Sequence, residues 1–405
     1  MPHDQPQAAS AVRYVALAWL CAAAVVSYLH RNAITVAEDT IRADLSLSQD
    51  DMGWIFSAFF WGYALLQIPA GWAADRWGTR GPLAIFAAVW TLAFGLMAGA
   101  RGWYGLLALR FGCGAAQAGV FPCATRSIVE WLPASRRALA SGLLGSCMSL
   151  GGAVANGMTG TLLERGVDWR TAIVVFLVPG VLWSIGFYAW FRDRPEEHPG
   201  VNQAELALIR AGRPAIQTST GQAPRTPTPW LVILTSAPIW FLCGQQFFRA
   251  AGYVFYASWF PTYLKETHGV TTEQSGWLSS LPLFAVVAGA PLGGWFADWL
   301  LTATGSRRVS RQGVGVASML LSAAFVLPAN WVGDASSAVL LISTGSFFAS
   351  FGGPVAYTAA MDVGGSHVGT AFGMVNMAGN VGAAVFPVAA AELTTRSGSW
   401  ELVLF

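Results

Sequence analysis

Eleven long runs of apolar residues limit the folds that this chain of 405 residues can adopt. The chain is 54% hydrophobic and only 11% charged, whereas soluble chains are about 25% charged. We therefore predict an all-α integral membrane protein. A twelfth run starts at Trp400 and stops at Phe405, so we expect a twelve-helix parent whose last helix is truncated in this chain. A window of ~19 residues, matched to the length of a transmembrane helix, places the eleven complete spans at roughly 13–36, 52–73, 81–100, 103–131, 138–161, 170–191, 230–264, 275–297, 312–331, 336–360 and 368–391.

The loops between the spans alternate in charge. The loop at 37–51 holds five acidic residues against Arg42 alone. Because positively charged loops of membrane proteins stay in the cytoplasm, we predict a multi-pass protein of the cell inner (plasma) membrane with a cytoplasmic N-terminus. The loops predicted to be cytoplasmic are the arginine-rich ones at 75–80, 132–137, 192–229 and 298–311.

The segment 192–229 divides the chain into two parts. It contains six prolines and a short charged stretch, which is typical of a linker. We predict an N-terminal half at 1–191 with spans 1–6, and a C-terminal half at 230–405 with spans 7–11 and the start of span 12. The string Gly71-Trp72-Ala73-Ala74-Asp75 recurs as Gly294-Trp295-Phe296-Ala297-Asp298, which fits the parallel repeat of a secondary transporter.

Three arginines lie inside the apolar spans: Arg31, Arg110 and Arg249. All 21 acidic residues fall in predicted loops or at span ends. An arginine at the centre of a membrane helix costs about 2.5–3.5 kcal/mol on the insertion scale, and the rise of an α-helix places all three in the outer half of the membrane. We interpret them as a site for an anion from outside the protein. The alternative, above all for Arg249, is a side chain that snorkels to the interface.

A motif between spans 2 and 3 resembles the signature of the major facilitator superfamily. It has the pattern G-x-x-x-D-R-x-G-x-R and consists of Gly71, Asp75, Arg76, Gly78 and Arg80. The resemblance implies two six-helix halves around a central cavity and transport by alternating access. It also implies that the motif gates transport, with its aspartate meeting a helix N-terminus and a basic partner.

More local strings resemble the anion–cation symporter family within that superfamily, which includes galactonate, hexuronate and glucarate transporters and the vesicular glutamate and sialic acid carriers. These strings lie at 28–32, 56–63, 67–69, 110–122, 259–264 and 276–282. Tyr28 precedes Arg31 by three residues and therefore shares its helical face. The substrate-binding residues that the resemblance implies are Arg31, Arg110, Arg249, Tyr28, Tyr63, Gln117, Asn376 and Asn380.

Two residues depart from the pattern of the proton-coupled sugar-acid transporters. Those proteins carry Asp before the arginine of span 1, where this chain has His30, and Glu in span 4, where it has Gln117. His30 is therefore the candidate for proton coupling, and the alternative is a hydrogen-bonded packing residue. Asn376 and Asn380 likewise have two interpretations, as amides that meet sugar hydroxyls or as hydrogen bonds between helices.

These features predict a secondary active transporter that takes up an organic anion, a sugar acid or another mono- or dicarboxylate, by proton-coupled alternating access. A carboxylate uniporter or exchanger without proton coupling is the main alternative; an efflux pump and a transport-dead solute receptor are weaker ones. Nothing in the sequence indicates an enzyme, because it has no nucleophile–His–acid set, metal cluster or phosphate loop. We expect no cofactor, no metal and no nucleic-acid partner. The expected partners of the monomer are the anion, a coupling proton and the lipid bilayer.

Overall fold

The computed structural model describes residues 8–210, 228–258, 260–270, 272–397 and 400, and this part of the chain is helical, without a strand. Residues 211–227 of the predicted linker and residues 401–405 of the predicted twelfth span lie outside the described residues. The all-α prediction is confirmed. In chain order the helices are α1 (Val12–Val36), α2 (Glu38–Leu45), α3 (Gln49–Trp77), α4 (Arg80–Leu96), α5 (Trp103–Gln117), α6 (Val120–Trp131), α7 (Arg137–Glu164), α8 (Trp169–Trp190), α9 (Gln203–Arg210), α10 (Trp230–Leu234), α11 (Ala237–Ser258), α12 (Phe260–His268), α13 (Thr272–Thr304), α14 (Val314–Val326), α15 (Ala335–Phe351), α16 (Gly353–Gly364) and α17 (Val368–Ser397).

Three of the predicted spans consist of more than one helix. Span 4 is divided between α5 and α6, span 10 is divided between α15 and α16, and in span 7 the short helix α10 is separated from α11. Pro122, Pro238 and Pro354 each lie in the first turn after one of these breaks. Proline has no backbone N–H, so the carbonyl four residues earlier loses its helical partner. The short helix α2 lies in a segment for which the sequence predicts a loop.

The outer surface of the first helices is apolar, as expected for contact with lipid. Seven stretches of the described residues are long and apolar enough to cross a membrane by length and composition alone. Residues spaced three or four apart on two of these helices are exposed, which defines a continuous apolar face. The chain is a multi-pass membrane protein. The exposed residues are Ile85, Val89, Leu92 and Leu96 on α4 and Val174, Val178, Leu182 and Ile185 on α8.

The chain forms two compact units. The first unit consists of residues 1–137, 147–235 and 361–374, and the second of residues 138–146, 236–360 and 375–405. The N-terminal part of α7 thus belongs to the second unit, and the start of α17 to the first. The predicted division into halves at 1–191 and 230–405, joined by a linker at 192–229, stays a prediction.

Glycine allows α3 and α5 to pack in close backbone contact inside the first unit. A Cβ on Gly114 would lie 2.0 Å from the carbonyl oxygen of Phe59, and a Cβ on Gly62 would lie 2.3 Å from that of Phe111. Real Cβ atoms cannot come so close, so both positions require glycine unless the helices separate. This contact fixes the part of α3 that carries Phe59 against the part of α5 that carries Arg110.

Candidate anion-binding site

Arg110 is the most deeply buried of the three predicted arginines. Its residue is 3% exposed, and Nη2 donates a hydrogen bond of 3.1 Å to the backbone carbonyl of Arg31. Its Nε and Nη1 atoms have no hydrogen-bond partner among the described residues. Burying a cation without a partner costs several kcal/mol on an order-of-magnitude scale. The guanidinium can therefore donate two further charge-assisted hydrogen bonds to an anion.

Arg31 is half-buried and surrounded by aromatic rings. Its Nη1 donates to the hydroxyl of Tyr28 at 3.2 Å, so the two side chains meet as their three-residue spacing predicts. Its guanidinium carbon lies within the ~6 Å range of cation–π contacts from four ring centroids. The distances are 5.1 Å to Tyr28, 4.7 Å to Phe59, 4.6 Å to Phe60 and 5.6 Å to Tyr63.

Tyr63 belongs to this aromatic group and is itself buried, with an exposed fraction of 4%. Its ring stacks on that of Phe59 at a centroid distance of 5.9 Å. The sequence places Tyr63 in the site through resemblance alone, and in the structure it contacts Arg31. The structure thus brings Tyr28, Tyr63, Arg31 and Arg110 together.

Gln117 and His30 connect α1 to neighbouring helices. The Nε2 atom of Gln117 donates to the backbone carbonyl of Ser27 at 3.2 Å. The Nε2 atom of His30 lies 2.7 Å from the backbone carbonyl of Phe176 on α8. Because a carbonyl only accepts, Nε2 carries the proton of the neutral ring.

The environment of the His30 ring is a packed interior. His30 is fully buried, its ring stacks on Phe94 at 4.4 Å, and its Nδ1 atom has no hydrogen-bond partner among the described residues. Arg31, the next residue, contacts rings on α3 instead. The proton-coupling role of His30 stays a prediction, and its contacts also suit the packing alternative.

Arg249 lies in the second unit and has two polar partners there. Its Nε donates to Oε1 of Gln246 at 2.6 Å, and its Nη2 lies 3.4 Å from the hydroxyl of Tyr357 on α16. Neither partner is among the residues that the sequence predicts for the site. Gln246 precedes Arg249 by three residues, the same spacing as Tyr28 and Arg31, so this signal was available. Tyr357 is 108 residues away, and nothing in the local pattern points to it.

The two predicted amides of span 11 also lie in the second unit. The Nδ2 atom of Asn380 donates to the backbone carbonyl of Asn376 at 2.8 Å, whereas the Nδ2 atom of Asn376 is buried without a partner among the described residues. A Cβ on Gly382 would lie 2.3 Å from the carbonyl oxygen of Phe247, so α17 packs directly on α11. This places the amides on the helix that packs against the one carrying Gln246 and Arg249.

The predicted gating motif makes contacts within the first unit. Asp75 accepts hydrogen bonds from the backbone N–H groups of Gly369 and Thr370, at 2.9 and 2.8 Å, at the start of α17. Arg126 lies 4.0 Å from its carboxylate. A Cβ on Gly71 would lie 2.1 Å from the carbonyl oxygen of Gly369, so glycine is needed for this approach. The aspartate therefore meets both the helix N-terminus and the basic partner that the resemblance implies.

The other three motif residues lie at the end of α3 and at the start of α4. Gly78 has φ +84°, a conformation that favours glycine, and a Cβ there would also meet the carboxylate of Asp193. Asp193 accepts from the backbone N–H of Arg80 at 2.8 Å. The side chain of Arg80 donates to the carbonyl of Tyr188 at 2.9 Å, whereas Arg76 is exposed.

The repeated string in the second unit makes the corresponding contacts. Asp298 accepts from the backbone N–H groups of Ala138 and Leu139, at 3.3 and 2.8 Å, at the start of α7. A Cβ on Gly294 would lie 2.4 Å from the carbonyl oxygen of Ala138, and Arg311 lies 3.8 Å from Asp298. Each copy thus combines a glycine contact, a capped helix N-terminus and a nearby arginine, so the internal repeat holds in three dimensions.

A family model described as the Major Facilitator Superfamily matches residues 20–387. The chain belongs to the major facilitator superfamily. Two solved superfamily structures share its fold at 14% identity, each with a TM-score of 0.73. The fucose:proton symporter of Escherichia coli covers 97% of this chain and 95% of its own. The proton:xylose symporter covers 97% of this chain and 92% of its own.

Three relatives of this superfamily member are named as transporters of sulfoacetate, of galactarate or D-glucarate, and of D-galactonate. A probable sulfoacetate transporter of Cupriavidus necator is 32% identical over 96% of this chain and 89% of its own length. A probable galactarate/D-glucarate transporter of Bacillus subtilis is 29% identical over 97% of this chain and 88% of its own length. A D-galactonate transporter of Escherichia coli is 28% identical over 95% of this chain and 90% of its own length. The predicted resemblance is confirmed, and the chain is a transporter rather than an enzyme.

Proposed function

We propose that this chain is a secondary transporter that takes up an organic anion, a sugar acid or another mono- or dicarboxylate, by alternating access. The observation that carries the proposal is Arg110, a buried guanidinium with two nitrogen atoms that have no partner among the described residues. A carboxylate can accept from such a guanidinium at two points. The relatives named as galactonate, galactarate/glucarate and sulfoacetate transporters support an acidic substrate.

Arg31 and Tyr28 supply further donors to the same acidic group. Arg31 approaches Arg110 closely enough for its backbone carbonyl to accept from the Arg110 guanidinium. The hydroxyl of Tyr28 lies against Arg31 and suits a substrate oxygen. Gln117 supports this arrangement by holding α1 to α5 through its amide.

Arg249 is the proposed donor for a second acidic group or a hydroxyl of the substrate. Gln246 and Tyr357 hold its guanidinium, and Asn376 and Asn380 offer amides to sugar hydroxyls. An arginine in an apolar helix is more stable with an anionic partner than without one. This role favours dianionic substrates such as aldarates and sulfoacetate over aldonates.

Proton-coupled uptake is our first proposal for the energy source, with His30 as the titrating group. An exchanger or uniporter without proton coupling is the second candidate, and a specific observation favours it. Neither His30 nor Gln117 supplies the carboxylate of the proton-coupled pattern, and both side chains make hydrogen bonds to backbone carbonyls. In either case we place the protein in the inner membrane as a monomer, with the N-terminus in the cytoplasm and the Asp75 contacts stabilising one state of the transport cycle.

Uptake into proteoliposomes tests the proposal. The purified chain is reconstituted, and D-galactonate, D-glucarate, a hexuronate and sulfoacetate are offered with and without an imposed pH gradient. We expect saturable uptake of at least one anion, lost in Arg110→Gln, while Arg101→Gln, at an exposed arginine between α4 and α5, is the matched charge control for uptake. Uptake of none of the four anions, or equal uptake by wild type and Arg110→Gln, would overturn the proposal.

A further inference from the structure

The ring of Phe59 lies beside both arginines of the first unit. The guanidinium carbon of Arg31 is 4.7 Å from the ring centroid, and that of Arg110 is 4.6 Å from it. Both distances are well inside the ~6 Å range of cation–π contacts. Phe59 is fully buried, so water does not screen these contacts. One aromatic ring therefore serves two cations.

The backbone packing of α3 on α5 explains why the ring reaches both. The contacts of Gly62 and Gly114 bring the backbone of Phe59 against α5 next to Arg110. The ring of Tyr63, one turn later on α3, stacks on the ring of Phe59. The position of the ring is thus set by backbone and aromatic packing rather than by the arginines themselves.

The two guanidinium groups need such a partner because like charges repel in a medium of low dielectric constant. Within the described residues, neither Arg31 nor Arg110 forms a salt bridge with a carboxylate. The negative face of an aromatic ring attracts a cation without neutralising it, and the attraction strengthens where water is excluded. A ring therefore stabilises the pair and still leaves the N–H groups available to an anion, which a carboxylate side chain would not do.

We propose that Phe59 is a positioning residue that holds Arg31 and Arg110 together, in the orientation that receives the anion. The part of this inference that concerns the anion rests on the proposed function. The part that concerns the ring and the arginines does not. The quadrupole of the ring, rather than its volume, is the property that acts.

Neighbouring rings provide matched controls. Phe60 lies 4.6 Å from the guanidinium carbon of Arg31, and Phe56 lies 5.9 Å from that of Arg110. Phe60 thus tests a ring next to Arg31, and Phe56 a ring next to Arg110. Among the rings of the described residues, Phe59 is the one that contacts both arginines.

Double-mutant cycles on the substrate-free protein in detergent test the ring directly. The melting temperature is measured for Phe59→Leu, Arg31→Met, Arg110→Met and the two double variants. We expect non-additive changes in both cycles, because Leu removes the ring that stabilises each charge. Phe60→Leu should be non-additive with Arg31→Met and additive with Arg110→Met. Additive changes in both Phe59 cycles would overturn the proposal.

A second variant keeps the test decisive if Phe59→Leu does not fold. Trifluorophenylalanine at position 59 preserves the shape of the ring and weakens its negative face, whereas Phe59→Tyr preserves that face. We expect cycles that combine the fluorinated ring with each arginine variant to be non-additive, as for Phe59→Leu. Cycles that combine Phe59→Tyr with the same arginine variants should be additive, because the negative face of the ring is kept. Additive changes for the fluorinated ring with both arginine variants would mean that only the volume of the ring matters and would reject the proposal.

Transport separates this inference from the proposed function. For an anion of the panel that wild type takes up, we expect Phe59→Leu to raise KM about tenfold, equivalent to ~1.4 kcal/mol, with Vmax within about twofold. Phe59→Tyr should restore the KM. An unchanged KM in Phe59→Leu would overturn the link to the anion. If wild type takes up none of the anions while both cycles are non-additive, the proposed function fails and the role of the ring stands.

Discussion

Arg13 donates two hydrogen bonds to Oε1 of Glu205, one from its backbone N–H and one from its guanidinium, each at 3.0 Å. The backbone N–H of Val12 donates to Oε2 of the same carboxylate, also at 3.0 Å. Glu205 lies on the short helix α9, more than 190 residues along the chain. It therefore caps the first turn of α1, where the unpaired N–H groups of a helix attract negative charge.

The same arrangement recurs at three other helices. Asp193 caps α4, Asp75 caps the start of α17, and Asp298 caps the start of α7. Each of these acidic residues belongs to a loop or span end that the sequence predicts to be cytoplasmic. The carboxylates of those arginine-rich loops thus stabilise the first turns of helices that enter the membrane, rather than forming only surface ion pairs.

If Glu205 caps α1, its substitution should reduce the protection of the first amides of this helix against hydrogen exchange. Glu205→Gln should cost about 1.5–3 kcal/mol, because it removes a charged acceptor of several hydrogen bonds in a buried position. Hydrogen exchange at the amides of Val12 and Arg13 should then quicken by roughly ten- to a hundredfold, measured by mass spectrometry of the detergent-purified protein. Arg13→Met is the control, since it removes the side-chain bond and keeps both amide bonds. Unchanged exchange in Glu205→Gln would contradict the capping role.

The stability that the Glu205 cap contributes also depends on pH. Burial opposes ionisation of Glu205, but hydrogen bonds from Ser10, Arg13 and Val12 hold the pKa of its carboxyl below the usual value. A lowered folded-state pKa stabilises the fold above the pKa of a free glutamate, ~4.3. The stabilisation is lost as the pH falls through the lower, folded-state pKa. Protection of the Val12 and Arg13 amides in wild type should therefore fall in acid and become equal to that of Glu205→Gln.

The Asp75 contact predicts a graded series of variants. Thr370→Val removes the hydroxyl bond to Asp75, 2.7 Å in the structure, and should cost about 0.5–1.5 kcal/mol. Asp75→Ala should cost more, because it also leaves the backbone N–H groups of Gly369 and Thr370 without their acceptor. Thermal unfolding in detergent and the Vmax of uptake measure the effect. Asp298→Ala is the counterpart in the second unit, and a Thr370→Val loss as large as that of Asp75→Ala would exclude the hydrogen-bond explanation.

Much of the fold follows from the sequence because the spacing of apolar residues is a local signal. Each of the eleven stretches that hydropathy predicts is helical among the described residues, and the spacing of three predicts the contact of Tyr28 with Arg31. The breaks in spans 4, 7 and 10 are harder to predict. Pro69 and Pro179 lie inside unbroken helices, so a proline alone does not decide where a helix ends.

The parts of the site that the sequence does not predict are contacts between helices distant in the chain. The position of Phe59 beside both arginines depends on how α3 packs on α5, and Tyr357 reaches Arg249 from another helix. Periodicity describes one helix at a time and carries no information on which face of a second helix it meets. The His30 contact with Phe176 has the same origin.

The charge of Arg249 predicts a difference between substrates. If Arg249 meets a second acidic group, Arg249→Gln should weaken a dianion such as D-glucarate by roughly ten- to a hundredfold, the worth of a charge-assisted hydrogen bond. The affinity for its monoanionic analogue D-gluconate should fall much less. Competition with labelled substrate in proteoliposomes gives both affinities. Tyr357→Phe, which removes one polar partner of Arg249 and keeps the charge, is the control. Equal losses for the two anions would mean that Arg249 acts through the general potential or the fold.

His30 decides between proton-coupled uptake and exchange. A second proton on its ring would have to bind Nδ1, because Nε2 already donates to the carbonyl of Phe176. We expect accumulation driven by a pH gradient to be absent, or to be abolished in His30→Asn, while counterflow exchange survives because it needs no net proton movement. The double substitution His30→Asp, Gln117→Glu should strengthen accumulation, since a carboxylate beside Arg31 can alternate between protonation and ion pairing. Phe94→Leu, which removes the ring stacked on His30 and keeps both of its nitrogens, controls for packing. Robust proton-driven accumulation in His30→Asn would place the coupling group elsewhere in the chain.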